Sequence, residues 1–262
     1  MAKFNFKKKF GQNFLRDDNV LQQIANLVEV TEKDLVLEIG PGHGALTKKL
    51  KKTGASILCY EIDLETKEVL EKLEDDKCRI IFEDFLKANV LDDISTYQYE
   101  NLYVIANIPY YITTPIIKKI IELDKVKAMA LMVQDEVADR FCAQPGNKEY
   151  GELTVYLNYY FRITKAIEVP RTCFYPIPNV DSAVVVFKRK EIKPYLKDET
   201  NFFKLISDCF SQKRKNIRNN LRNYDLDKIS EILETRGFSL QSRAEELELE
   251  DFIDLSNLLS EK

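Results

Sequence analysis

Short apolar runs and amphipathic stretches take turns along the first part of the chain. LVLEIG (35–40) is an apolar run of strand length that opens into glycines. ALTKKLKKTG (45–54) has helical spacing and ends on Gly54, a residue suited to close a helix. SILCYEID (56–63) reads as a second strand, LETKEVLEKLE (64–74) as an amphipathic helix, and RIIFEDF (79–85) as a third strand; both strands run into acid. NLYVIAN (101–107) is a fourth strand, a helix is expected at about 115–123, and VKAMALMVQ (126–134) is a fifth strand. Upstream, Asp17 or Asp18 can cap a helix with an apolar stripe of Val20, Ile24, Leu27 and Val28. Strands alternating with helices imply βαβ units and a mostly parallel sheet, so the fold class is α/β.

Further along the pattern changes. Residues 153–188 read as more strands, with the loop sequence VPRTCFYPIPNVDSAVVVF between them. KRKEIKPYLKDET (188–200) is polar and carries a proline, which places a domain boundary there and divides residues 1–192 from 193–262. From Asn201 onward, FFKLISDCF, KNIRNNLRN, LDKISEILETRG and LEDFIDLSNLLSE have helical periodicity. The second domain is therefore expected to be small and all-helical.

Composition narrows the partners. At 45% hydrophobic residues the chain has material for a core, and no apolar run approaches the roughly 18 residues of a membrane span. The basic start MAKFNFKKKFGQNFL lacks the apolar stretch of a secretory signal. Five scattered cysteines, none in a CxxC pair, and one histidine argue against a zinc site or a disulfide framework, and for a reducing, cytoplasmic setting. The net charge of −4 is unevenly spread: residues 223–262 carry 11 acidic and 4 basic side chains, while positive charge gathers at Lys3 to Lys9 and Lys213 to Arg222. A local basic field of that kind is compatible with a nucleic-acid partner.

The chemistry-bearing residues all fall where strands end, which is where parallel sheets bind ligands. Gly40, Gly42 and Gly44 let the backbone turn tightly and approach a ligand closely. Glu61, at the end of the next strand, can accept the hydroxyls of a ribose. Gly40, Gly42 and Ala45 also satisfy the dinucleotide pattern G-x-G-x-x-A, so the motif says adenosine-type cofactor without naming it. Asp84 can take the amino group of an adenine while Phe85 covers the ring face.

Asn107-Ile108-Pro109-Tyr110 resembles the (N/D/S)-(P/I/L)-P-(Y/F/W) signature of S-adenosylmethionine-dependent methyltransferases that act on base amines. The chemistry suits each residue. An exocyclic amine is a poor nucleophile, because its lone pair is delocalised into the ring. The Asn107 side-chain oxygen and the Ile108 carbonyl can hold its hydrogens. Pro109 restricts its own φ and biases Ile108 to extended geometry. Tyr110 offers a face on which an extruded base stacks. No strong base or metal is required, and catalysis is mostly orientation.

FGQNFL (10–15), EIGPGHGALT, NIPYYITTPI, VQDEVADR (133–140), YGELTVYLNYY (150–160), FYPIPNVDSAVV (174–185) and FSQKRKNIRNNL (210–221) occur in order over nearly the whole chain. Together they resemble the KsgA/Dim1 family, the adenine dimethyltransferases of small-subunit ribosomal RNA, and within it the bacterial KsgA branch. The resemblance implies a Rossmann-like S-adenosylmethionine-dependent methyltransferase domain with a seven-stranded sheet and an antiparallel last strand, followed by the small helical domain. It implies cofactor contacts at Asn13, Leu15, Gly40, Glu61, Asp84 and Asn107, and assigns Phe174 to cover the target base opposite Tyr110. The implied reaction dimethylates two adjacent adenines in the 3′-terminal hairpin loop of 16S ribosomal RNA on the assembling 30S subunit. His43 and Tyr111 stand where relatives vary.

Arg214, Arg218 and Arg222 are spaced by four and so are expected to share a helix face, flanked by Lys213 and Lys215, with Asn216, Asn219 and Asn220 adding donors. This segment is expected to bind RNA phosphates, and Lys7, Lys8 and Lys9 to act as a basic arm. A monomer without metal or membrane partner is expected. Three other readings stay open from sequence. They are an Erm-type 23S ribosomal RNA methyltransferase, which shares the NIPY and F-x-P-x-P elements, a factor that chiefly binds pre-30S particles, and a nicotinamide-dependent oxidoreductase.

Overall fold

The computed structural model of the protein describes residues 13–108 and 112–260. Its strands are β1 (Phe14–Leu15), β2 (Leu35–Ile39), β3 (Ser56–Tyr60), β4 (Cys78–Ile81), β5 (Leu102–Asn107), β6 (Val126–Gln134), β7 (Phe161–Val169), β8 (Phe174–Tyr175) and β9 (Ser182–Arg189). Seven of them form one sheet in the order β4-β3-β2-β5-β6-β9-β7, and β1 pairs with β8 separately. β4, β3, β2, β5 and β6 run parallel; β9, the last strand in the chain, is antiparallel to β6. All five β2 side chains are buried, as expected for a central parallel strand covered on both faces. At the edge, β4 alternates between buried and accessible positions.

Helices α1 (Asp18–Ala25), α2 (Ala45–Leu50), α3 (Lys67–Leu70), α4 (Val90–Ser95) and α5 (Thr113–Ile121) belong to this part of the chain. Asp17 is the cap of α1: its carboxylate accepts the N–H groups of Asn19 and Val20. The segment 64–74 is not one helix; α3 is a single turn between two 3-10 turns. The third expected strand also stops early, at Ile81, so Asp84 stands in the turn that follows it.

Two compact units make up the chain. One holds residues up to Ala138 together with Thr164–Arg189; the other holds Asp139–Ile163 and the chain from Lys190 onward. The second unit therefore takes in a stretch that a single cut at residue 192 leaves in the first. Within that unit lie α7 (Glu152–Tyr160), α8 (Glu199–Phe210), α9 (Ile217–Asn220), α10 (Leu226–Thr235) and α11 (Leu249–Leu259), while α6 (Asp135–Cys142) spans the division.

The expectation of a strand at 153–160 is corrected, because these residues form α7. Val, Thr and Tyr favour strands only where they meet a pleated surface. Here Tyr156, Tyr159 and Tyr160 meet Phe202 and Phe203 of α8, with ring centroids 4.7–5.9 Å apart, and the Tyr160 hydroxyl donates to Glu199. Such an aromatic cluster outweighs the local strand preference of ELTVYLNYY.

Candidate active site

The sheet order reverses direction between β2 and β5, and the loops leaving their carboxyl ends diverge there. A cavity of about 910 Å³ opens at this point. Gly40 and Gly42 after β2, Glu61 after β3, Asp84 and Phe85 after β4, and Asn107 and Ile108 at the end of β5 all line it. Asn13 and Leu15, from the β1 segment, line it as well. Residues that the sequence scatters over 95 positions thus share one site because the parallel strands β2 to β5 end on one edge and the β1 segment reaches the same cavity.

Gly40 and Gly42 have φ of +70° and +59°, a region that favours glycine. A Cβ on Gly42 would come within 2.9 Å of the Phe14 ring, and one on Gly40 would face the Asn107 carbonyl at 3.9 Å. Both positions therefore suit glycine, and at Gly42 the Phe14 ring fills the space a side chain would need. Phe14 also lies against the imidazole of His43, with centroids 4.4 Å apart. Burial lowers the pKa of His43.

Glu61 is 5% exposed. Its Oε2 accepts the Gly42 N–H at 2.9 Å and its Oε1 the Asp63 N–H at 2.8 Å. Burial raises its pKa, and the N–H groups of Asp63, Gly42 and Ile62 pull it back. A carboxylate has about four acceptor positions, so capacity for a ligand hydroxyl remains. Asp84 shapes its own turn: Oδ1 accepts the Leu86 N–H at 3.0 Å, and its carbonyl accepts those of Lys87 and Ala88 at 2.8 and 3.0 Å. The buried Phe85 ring beside it meets Tyr60 edge-on at 5.5 Å. A glycine cradle, a carboxylate with spare acceptors and a second acid beside an aromatic ring fit an adenosine cofactor.

Phe174 is not brought to this cavity. β1 pairs with β8 antiparallel, placing Leu15 opposite Phe174 and Phe14 opposite Tyr175. Side chains alternate faces along a strand, so Phe174 turns inward and is 3% exposed among core residues. The outward ring is Tyr175, 45% exposed, with the Arg16 guanidinium 4.0 Å above it. Pro109 and Tyr110, and Tyr111 after them, lie outside the described residues, as do Lys7, Lys8 and Lys9.

Glu38, fourth in β2, is a site residue that the sequence pattern does not single out. It lines the cavity, is fully buried, and accepts from the Thr47 hydroxyl at 2.7 Å and the Cys59 thiol at 3.6 Å. A lone acid inside LVLEIG is the signal that could have found it. Burial pushes its pKa from 4.5 up to about 7, tempered by those two donors. The folded protein thus binds this proton more tightly than the unfolded chain does. The resulting stability is complete below about pH 4.5 and is lost as pH rises to about 7, a change of ~3 kcal/mol. Urea unfolding at pH 5 and pH 8 should show Glu38→Gln gaining on the parent at the higher pH; parallel stabilities at both would contradict the assignment.

In the helical unit, Lys213, Arg214, Lys215, Arg218 and Arg222 are all exposed. The expected shared helix face is corrected: α9 covers only Ile217–Asn220, leaving Arg214 and Arg222 outside any helix. Asn216 causes the break by capping α9, its side chain accepting the Asn219 N–H at 3.0 Å. Each asparagine also commits an amide N–H within this unit. Asn216 donates to Gln241 at 2.7 Å, Asn219 donates to Asn216, and Asn220 donates to the Cys209 carbonyl at 2.6 Å. Among the described residues no His, Cys, Asp or Glu group is arranged to hold a metal ion, and no helix is long and apolar enough to cross a membrane.

A seven-stranded sheet in this order, carrying a glycine cradle and acids at its carboxyl edge, defines a Rossmann-like methyltransferase fold. Two solved structures share it at TM-scores of 0.78 and 0.75. One is a dimethyladenosine transferase from Plasmodium falciparum, 26% identical, with 92% of this chain and 95% of that one covered. The other is the 23S rRNA methyltransferase ErmE, 28% identical, with 95% and 100% covered. The family model for ribosomal RNA adenine dimethylase matches residues 3–261, and the chain belongs to that family. Among curated relatives, the ribosomal RNA small subunit methyltransferase A of Mycoplasma mobile is 45% identical over 94% of both chains. The protein of that name from Streptococcus pneumoniae is 41% identical over 98% of this chain and 92% of its own.

Proposed function

We propose that the protein dimethylates the N6 amines of two adjacent adenines in the 3′-terminal hairpin loop of 16S ribosomal RNA, on the assembling small subunit, with S-adenosyl-L-methionine as methyl donor. The convergence of Gly40, Glu61, Asp84 and Asn107 on one cavity carries this reading, and the relatives named for the small subunit favour 16S over 23S RNA. When bound, the cofactor supplies an electrophilic methyl group on a sulfonium. The chain supplies position. Glu61 takes the ribose hydroxyls, Asp84 takes the cofactor's adenine amine, and Asn13 and Leu15 close the site from the β1 side. Asn107 and the Ile108 carbonyl accept the hydrogens of the target amine, and Pro109 and Tyr110 follow them in sequence as carbonyl guide and stacking face. Phe174, buried in the core, is given no role in the transfer.

Tritiated methyl transfer to unmethylated 30S and 50S particles, followed by nucleoside analysis and primer extension, tests the proposal. Dimethyladenosine near the 3′ end of 16S RNA is expected; labelling of 50S RNA alone would overturn it. Lys213, Arg214, Lys215, Arg218 and Arg222 bind RNA phosphates as an exposed cluster rather than a helix stripe. Replacing Arg214, Arg218 and Arg222 by alanine should weaken 30S binding. The slope of log affinity against log salt should flatten by about 0.7–0.9 for each phosphate no longer neutralised. An unchanged slope would remove these residues from the interface. The protein acts in the cytoplasm as a monomer.

A further inference from the structure

We infer that Lys119 is a positioning residue for the cofactor's adenine: it fixes the Asp84–Phe85 turn in place, and so sets the site's selectivity for a 6-amino purine. This rests on the cofactor reading above. Lys119 lies on α5, the helix that follows the Asn107–Ile108 loop. From there its Nζ donates to the Phe85 carbonyl at 2.6 Å and to the Ala88 carbonyl at 2.7 Å, and it stands 5.2 Å from the centre of the Phe85 ring. An ammonium group has three donors and no acceptor, so two converging carbonyls suit it.

The turn needs an anchor of this kind. Between β4 and α4 it has no regular secondary structure. The bonds from Leu86, Lys87 and Ala88 to Asp84 are local; they give the turn its shape. The bonds to Lys119 reach across more than thirty residues and fix where that shape stands. Recognition of an amine over a carbonyl at the purine 6-position depends on where the Asp84 carboxylate sits, because the same oxygen attracts the first and repels the second. A turn free to shift by about 1 Å would keep its local bonds and lose that discrimination. Lys119 touches neither cofactor nor substrate; it acts through Asp84 and Phe85. Because it belongs to α5, it also joins the base pocket of the cofactor to the helix that leads out of the methyl-transfer loop.

Titration calorimetry with S-adenosylhomocysteine and with its hypoxanthine counterpart, on the full chain, tests this. The parent should prefer the adenine form strongly. Lys119→Met should weaken the adenine form about tenfold and the hypoxanthine form by no more than about twofold, with kcat at saturating cofactor within about twofold of the parent. Equal weakening of both ligands, or no change, would show that Lys119 only stabilises the fold and would overturn the inference. If Lys119→Met does not fold, Lys119→Gln serves, since its stem is one bond shorter and its neutral amide has two donors in place of three. Discrimination should then shrink by a smaller factor, and full retention would overturn the inference. Failure of the parent to bind S-adenosylhomocysteine would instead reject the cofactor reading itself.

Discussion

Asn107→Ala should lower single-turnover methyl transfer to unmethylated 30S particles by about a thousandfold, at saturating cofactor. Asn107 ends β5, whose other five residues are buried, so its backbone is held by the sheet and its side chain lines the cavity. Alanine removes the amide without disturbing that strand. The target amine then keeps the Ile108 carbonyl but loses the partner that holds its second hydrogen, and its lone pair stays in the ring. Affinity for 30S particles should remain within about threefold of the parent. Filter binding and transfer rates measured together separate catalysis from particle binding. Full methylation by the variant would remove Asn107 from the chemistry.

Glu61→Gln should raise the dissociation constant for S-adenosyl-L-methionine by about 30- to 100-fold, or roughly 2–3 kcal/mol. The parent carboxylate accepts the N–H groups of Gly42 and Asp63 on its two oxygens. A glutamine has one acceptor oxygen, so its NH₂ must confront one of those donors at a site 5% exposed. The cost falls on the glycine cradle as well as on the ribose. Thermal unfolding without ligand should therefore also shift to lower temperature, and unchanged calorimetric affinity would show that Glu61 does not hold the cofactor.

The sequence made the sheet and the main cavity residues legible for a simple reason. In a parallel sheet buried on both faces, strands are unbroken apolar runs, and the polar residue that ends each run stands at the ligand edge. SILCYE and NLYVIAN follow that rule, and Glu61 and Asn107 fall where it puts them; LVLEIG is broken by Glu38, yet Gly40 still marks its end at the same edge. The rule fails where distant residues decide. Tyr156, Tyr159 and Tyr160 look like strand residues until α8 supplies their aromatic partners. Arg214, Arg218 and Arg222 keep helical spacing, yet Asn216 caps a new helix between them. Which of Phe174 and Tyr175 points outward depends on register with β1, set by residues about 160 positions away. Glu38 is hidden by its apolar neighbours, although a carboxyl in such a run is the anomaly worth following.

The pairing of β1 with β8 bears on the timing of synthesis. Phe14, which rests on the Gly42 turn, belongs to a strand whose hydrogen-bonding partner is made about 160 residues later. At roughly 5–20 residues per second, that is a delay of about 8–32 s on the ribosome. From the synthesis of β6, which ends at Gln134, the edge that will receive β9 also stays open until β9 begins at Ser182. A nascent chain can thus lay down β2 to β6 in order but cannot yet pair β1, which lines the cavity, with β8. The cofactor cavity is fixed late, when the segment from Phe174 to Arg189 has emerged and both the strap over the glycine turn and the inserted strand can close together.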